Sequence, residues 1–219
     1  MSRSLLSTRA GRLSFWLGGG ALAFLAFVRI TRELLEGDVG AMDNAILLAV
    51  AKTRTPWLTS AAIDVTALGS ITLVVLFSVF TLVVLLVLRD RWGAIQLMAA
   101  SIGAGLLTVV TKDIIERTRP EQAERLIAVS GFSYPSGHSL STSALYITIA
   151  IIACSYVQHS GARAAILLAV SVVILMVGAS RVYLGVHYAT DVASGLSLGA
   201  AWALLLAGLF TLLNRRGSP

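Results

Sequence analysis

The stretch Ser180–Asp191 reads SRVYLGVHYATD and sits between two long apolar runs. His187 and Asp191 are four positions apart, which makes them neighbours on one helix face. A carboxylate bonded to one imidazole nitrogen fixes the tautomer and frees the other nitrogen as a base or nucleophile. Arg181 precedes His187 by six positions, and a continuous helix would turn the two about 240° apart. Gly185 lies between them and can break the helix, so that both converge. Ionisable groups beside a membrane core are costly and usually functional. The bland alternative is an interfacial ion pair between Arg181 and Asp191.

Two more polar islands precede this one. In KDIIERTRP, Lys112 and Arg119 are seven apart, so in a helix they return to within about 20° of one direction. Two cations on one face beside a membrane suit an anionic ligand, although cations snorkelling at a helix end would look the same. Pro120 disfavours helix at its predecessor. In YPSGHS, Pro135 fits a turn, and Ser136 and Gly137 fit a helix start. Gly137 admits close approach of a ligand to the backbone. Orphan amides at such a start attract phosphate, with His138 placed to touch it. An ordinary helix start with an incidental histidine is the competing reading.

The elements that must position these islands are membrane spans. The chain has 219 residues, 57% hydrophobic and 13% charged, with a mean hydropathy of +0.85. Continuous apolar runs predict helices over residues 13–31, 68–88, 92–111, 138–157, 164–183 and 190–213. The expected fold is all-α: a polytopic membrane protein of six transmembrane helices, forming one domain over residues 1–219. The first run, after Arg3, Arg9 and Arg12, also has features of a signal peptide. Keeping it gives an even number of spans and both termini on one side. Residues 32–67 form a long connection in which LTSAAIDVTAL reads as an interfacial helix. Asp43 and Asp64 read as solvated or capping groups there, His159 as a solvated loop residue, and the lone Cys154 as a packing residue.

The net charge is +6 and the pI about 10.1, but the basic residues are scattered. They suit anionic headgroups and loop orientation rather than nucleic acid. With the N-terminus inside, eight of the 17 cations are inner and nine outer, so the raw count does not decide. Lys112, Arg119 and Arg181 have a chemical reason to be outside, and discounting them favours both termini inside. No dense carboxylate cluster suggests a two-metal site; Asp113, Glu116, Glu121 and Glu124 read as loop solvation.

Taken together, the islands resemble the three signature motifs of the type 2 phosphatidic acid phosphatase family. Those motifs read K-x6-R-P, P-S-G-H and S-R-x5-H-x3-D. Here they stand as Lys112, Arg119 and Pro120; Pro135, Ser136, Gly137 and His138; and Ser180, Arg181, His187 and Asp191. The resemblance implies a helical core shared with vanadium haloperoxidases and metal-independent hydrolysis without a cofactor. It implies His187 as the nucleophile that forms a phosphohistidine, and Asp191 as its orienting group. His138 would protonate the leaving oxygen and then help activate water. Lys112, Arg119, Arg181, Ser136 and the Gly137 amide would hold phosphate oxygens. The expected partner is a lipid phosphate in the bilayer, met at the outer face of a bacterial inner membrane. Undecaprenyl pyrophosphate and phosphatidylglycerophosphate rank first by that resemblance, then phosphatidic acid and lipid A phosphates. Residues 121–134 would help choose among them. The rivals are a phosphotransferase on the same fold and a transporter or lipid-phosphate binder without chemistry. Charges clustered near span ends disfavour the transporter.

Overall fold

The computed structural model of the protein describes residues 8–214. Arg3, Arg215 and Arg216 lie outside the described residues. Eight helices follow one another: α1 (Arg9–Glu36), α2 (Gly40–Ala51), α3 (Pro56–Ala67), α4 (Ile71–Val87), α5 (Arg91–Ile115), α6 (Gly137–Tyr156), α7 (Ser160–Tyr183) and α8 (Ala189–Leu213). No strand occurs among the described residues.

Five of these helices, α1 and α5 to α8, are long and apolar enough to cross a membrane. The expected sixth span differs. Its apolar run forms α4, whose 17 residues give roughly 25 Å of helix, short of a bilayer core of about 30 Å. α3 precedes it at an angle of 45°, and the two together are apolar enough to count as a sixth span when the bent pair is taken as one. The stretch read as an interfacial helix is therefore mostly α3 and belongs to that bent pair. Ser70 caps α4 through its side chain, which starts a new helix inside the apolar run. α2 was not foreseen; it lies in what the sequence presents as a connection.

Large apolar side chains such as Leu22, Phe80, Val87 and Leu168 lie exposed on the outside of the bundle. This is the surface expected where lipid rather than water is the solvent. Inside, small residues set the helix spacing. A Cβ at Gly199 of α8 would lie 2.4 Å from the Leu140 carbonyl oxygen of α6, and one at Gly195 would lie 2.6 Å from that of Ser136. Without a hydrophobic drive between helices in lipid, such close backbone packing is a main source of association. α1 joins the same core: Leu17 packs on Gly208, and Thr31 shares a hydrogen bond of 2.7 Å with the Tyr134 hydroxyl.

The consequence for function is positional. The last turns of α5 and α7 and the first turns of α6 and α8 meet at one end of the bundle, where all three polar islands lie. The α6–α8 contact fixes the separation of His138 from Asp191. Gly199→Ala should therefore lower the melting temperature in detergent by several degrees, since overpacking costs about 1–3 kcal/mol. Gly18→Ala is the matched control, because a Cβ there meets nothing within 4 Å. Equal melting of the two variants would show that the α6–α8 spacing is not set by this contact.

Candidate active site

His187 lies in the short turn between α7 and α8. The turn is possible because Gly185 adopts a left-handed φ of +74°. A Cβ at Gly185 would also lie 2.6 Å from the Glu124 carbonyl oxygen and 2.8 Å from an Arg54 nitrogen. The break foreseen at this glycine is what brings His187 round to Arg181.

Asp191 is the third residue of α8 and is fully buried. Its Oδ2 accepts the Tyr188 amide at 2.9 Å and the Ser133 hydroxyl, and faces His187 Nδ1 at 3.4 Å. On the other side of the ring, Arg119 Nη1 lies 3.3 Å from His187 Nε2. A guanidinium only donates. Nε2 is therefore the bare nitrogen, and Nδ1 carries the proton toward Asp191. The imidazole lone pair points toward the Arg119 guanidinium.

The cations of the site arrive from three elements. Lys112 is in the last turn of α5 and donates to the Phe132 carbonyl. Arg119 is in the loop that follows, and binds the carbonyls of Gly131, Ser130 and Val186. The shared helix face inferred from the seven-residue spacing is not how the two meet. α5 ends at Ile115, Glu116 turns left-handed, and the loop folds back instead. Arg181, only 3% exposed, donates from Nη1 to Thr66 at 2.8 Å. Its buried Nε finds no hydrogen-bond partner among the described residues. Lys112, Arg119 and Arg181 repel one another through space, and all three act on His138.

His138 sits in the first turn of α6, with Gly69 from the α3–α4 break against its side chain. The Gly137 and His138 amides are first-turn donors with no acceptor inside the helix. Gly137 also packs closely, since a Cβ there would come within 3.1 Å of Thr108. Ser136, expected to hold a phosphate oxygen, starts the helix. It is fully buried, and its hydroxyl caps α6 by accepting from the Ser139 amide and hydroxyl. Its amide donates to the Asp191 carbonyl at 3.0 Å, tying α6 to α8.

The structure decides between the alternatives left open for two charges. Of the two readings of Asp43, capping holds and solvation does not: it is completely buried and accepts from the Thr190 amide at 3.0 Å, capping α8 from a distant segment. The ion pair considered between Arg181 and Asp191 does not form. Arg117 takes that place, with Nη1 at 2.6 Å from Asp191 and Nη2 at 2.7 Å from Asp43. Sequence reasoning passed over Arg117 as one more outer cation, and passed over Ser133 and Thr66. Asp43 did carry a signal, an acid in AMDNAILLAV without a basic residue three or four positions away. Asp64, Asp113, Glu116, Glu121, Glu124 and His159 are exposed, as expected.

Burial pushes the His187 imidazole down to about 4, against the opposing pull of Asp191 and with the help of Arg181 and Arg119. The ring is thus neutral at pH 7. An unfolded imidazole takes up a proton below about 6.5 while the folded one waits until about 4, so stability falls as pH drops across that window. In ligand-free protein the ring resonance absent from His187→Ala should titrate near pH 4. A midpoint near 6.5 would mean that water reaches the ring freely.

Comparison with known proteins bears on the same residues. The family described as the PAP2 superfamily matches residues 93–215, which include all three islands. Phosphatidylglycerophosphatase B of Bacillus subtilis (strain 168) is 32% identical over 193 residues, covering 88% of this chain and 95% of the relative. A lipid A 1-phosphatase of Rhizobium johnstonii is 30% identical over 128 residues, 54% of this chain and 48% of that protein. The crystal structure of a transmembrane PAP2 type phosphatidylglycerolphosphate phosphatase from Bacillus subtilis superposes with a TM-score of 0.85 at 30% identity. It covers 91% of this chain and 99% of that one. Aquifex aeolicus LpxE shares the fold, with a TM-score of 0.57 at 22% identity over 77% of this chain and 93% of its own. With its helices, its turns and its three islands accounted for, this chain belongs to the PAP2 superfamily.

Proposed function

We propose that this integral membrane lipid phosphatase hydrolyses a phosphomonoester or diphosphate headgroup through a phosphohistidine on His187, without a metal. The observation that carries the reading is the buried Arg181, whose Nε has no partner among the described residues and whose charge acts, with those of Lys112 and Arg119, on His138, while Arg181 and Arg119 also act on His187. A buried donor without an acceptor is costly. A phosphate oxygen supplies the acceptor, and a phosphate supplies the negative charge that three converging cations need.

The chemistry follows from the geometry. A phosphoryl group in transfer spreads charge over three equatorial oxygens. Fixed cations and first-turn amides of α6 stabilise that charge without reorganising. Nε2 of His187 attacks phosphorus as the bond to the leaving oxygen breaks. His138 gives that oxygen a proton, then takes one from the water that attacks the phosphohistidine. Asp191 holds Nδ1–H throughout and so stabilises the imidazolium character of the intermediate.

The whole chain acts as one domain, with the site on the outer face of a bacterial inner membrane. The cation placement supports that orientation. Phosphatidylglycerophosphate is the first substrate to try, because a Phosphatidylglycerophosphatase B aligns along 88% of the chain. Undecaprenyl pyrophosphate and phosphatidic acid complete the panel. The pinned loop of residues 121–134 is placed to select the headgroup, with the Leu126 amide held by the Leu184 carbonyl at 3.0 Å.

Purified protein in detergent with EDTA should release phosphate from at least one of these lipids. His187→Ala should abolish release and leave melting nearly unchanged. The native protein should also carry a phosphoryl label that is acid-labile and alkali-stable, and the variant should not. Release that persists in His187→Ala would remove it as nucleophile, and loss of release in EDTA would remove the metal-free mechanism. Arg181→Lys should lower kcat/KM at least about a hundredfold, because a fork becomes a point charge. Near-native kinetics there would place Arg181 away from the phosphate.

A further inference from the structure

Arg117 spends its side-chain bonds on Asp191, Thr190 and Asp43 rather than on the carbonyls that hold Lys112 and Arg119. Nη1 donates to Asp191 at 2.6 Å and to Thr190 Oγ1 at 2.8 Å, and Nη2 donates to Asp43 at 2.7 Å. Its Cζ sits 4.1 Å over the centre of the Tyr188 ring. Burial opposes the Arg117 charge, but Asp191 and Asp43 more than offset that and hold it above its usual range. Asp43 is held in turn by the Thr190 amide and hydroxyl. The chain of charges therefore runs from α2 through the α5–α6 loop to the nucleophile's carboxylate.

We infer that Arg117, anchored on Asp43, is a positioning residue for the reaction: it fixes the Asp191 carboxylate and shares its charge, so that His187 stays oriented and neutral until it attacks. The inference rests on His187 being the nucleophile. Asp191 with no counter-charge would draw a proton onto the ring and spoil the lone pair. Asp191 with a counter-charge still accepts Nδ1–H and still fixes the tautomer. Asp43 matters because it keeps the guanidinium from swinging into the phosphate space. The other charged groups acting on the His187 ring are Arg119 from the loop, Arg181 of α7 and His138 of α6, with Lys112 of α5 acting on the same cluster. None of these bonds to Asp43.

The test compares native protein with Arg117→Gln, Arg117→Lys and Asp43→Asn, reading phosphate release from the preferred lipid and the titration of His187 in ligand-free protein. Arg117→Gln should lower kcat about ten- to a hundredfold with KM within about threefold, as for other partners that orient a reacting imidazole. It should also raise the His187 midpoint. Arg117→Lys should restore the midpoint but only part of kcat, since an ammonium lacks the fork that holds both carboxylates. Asp43→Asn removes a negative charge instead, so it should lower kcat without raising the midpoint. Midpoints alike in all four proteins would overturn the inference. So would an equal rise in Arg117→Gln and Asp43→Asn, which is the mark of loosened packing that admits water. Should Arg117→Gln show no melting transition, native kcat in Asp43→Asn overturns the inference alone. Absence of phosphate release from the native protein would sink the phosphatase reading, whereas the midpoints still decide what Arg117 does to His187.

Discussion

A carboxylate buried in the first turn of a membrane helix needs compensation, because an isolated charge out of water costs many kcal/mol. Asp191 gets it from four donors on two segments of the chain. The Tyr188 amide and His187 lie just before α8, while Ser133 and Arg117 come from the loop between α5 and α6. With both oxygens engaged, the carboxylate cannot rotate. The loop is folded to make this possible, with the Ser133 amide donating to the Arg117 carbonyl at 2.8 Å. The Ser136 amide then binds the Asp191 carbonyl, so the start of α6 is referenced to the start of α8. The relative placement of His138 and His187 descends from this one buried acid.

The opposite problem is the crowd of cations. Lys112, Arg119 and Arg181 repel one another at the meeting of helix ends. What keeps them there is a set of neutral oxygens: the carbonyls of Phe132, Ser130, Gly131 and Val186, and the Thr66 hydroxyl. These partners satisfy donors without neutralising charge. Lys112 and Arg181 also lie in the last turns of α5 and α7, where the helix dipole favours a cation. The first turns of α6 and α8 bring positive ends to the same place. These neutral partners leave the positive charge of the three cations in place, which is the charge that a phosphate dianion would balance. Preorganisation of this kind would stabilise the charge that spreads over the equatorial oxygens of a transferring phosphoryl group.

The candidate site is legible in the sequence because its residues recur at short spacings. His187 and Asp191 are four apart, and Gly185 announces the turn that the φ of +74° requires. Lys112 and Arg119 were placed together for a reason that the structure replaces. A helix would have aligned them, yet α5 stops at Ile115 and the loop does the work. Hydropathy could not reveal the break between α3 and α4, since both sides of it are apolar. LGS within that run was the visible hint. Least legible was the pair of Asp43 and Arg117, separated by 74 positions. Only the fold brings such residues together, and no local pattern marks them beyond an acid without a nearby base.

The supporting groups share an origin that the reacting groups do not. Every residue placed on phosphate or nucleophile lies between Lys112 and Asp191, inside the matched family region of residues 93–215. The groups that brace them come largely from before it. Asp43 bonds Arg117 and Thr190, Thr66 bonds Arg181, and Gly69 backs His138. Arg54 binds the Tyr183 carbonyl at the end of α7 and the Glu124 carbonyl of the loop. What the sequence presents as a linker is a brace laid across the open end of the four-helix site. A loop tip can change sequence freely when it only connects, but here each contact holds a group of the candidate site, and in an active site a misplacement of about 1 Å can cost about a hundredfold. The candidate site is thus built by α5 to α8 and braced by the segment from α2 to the start of α4.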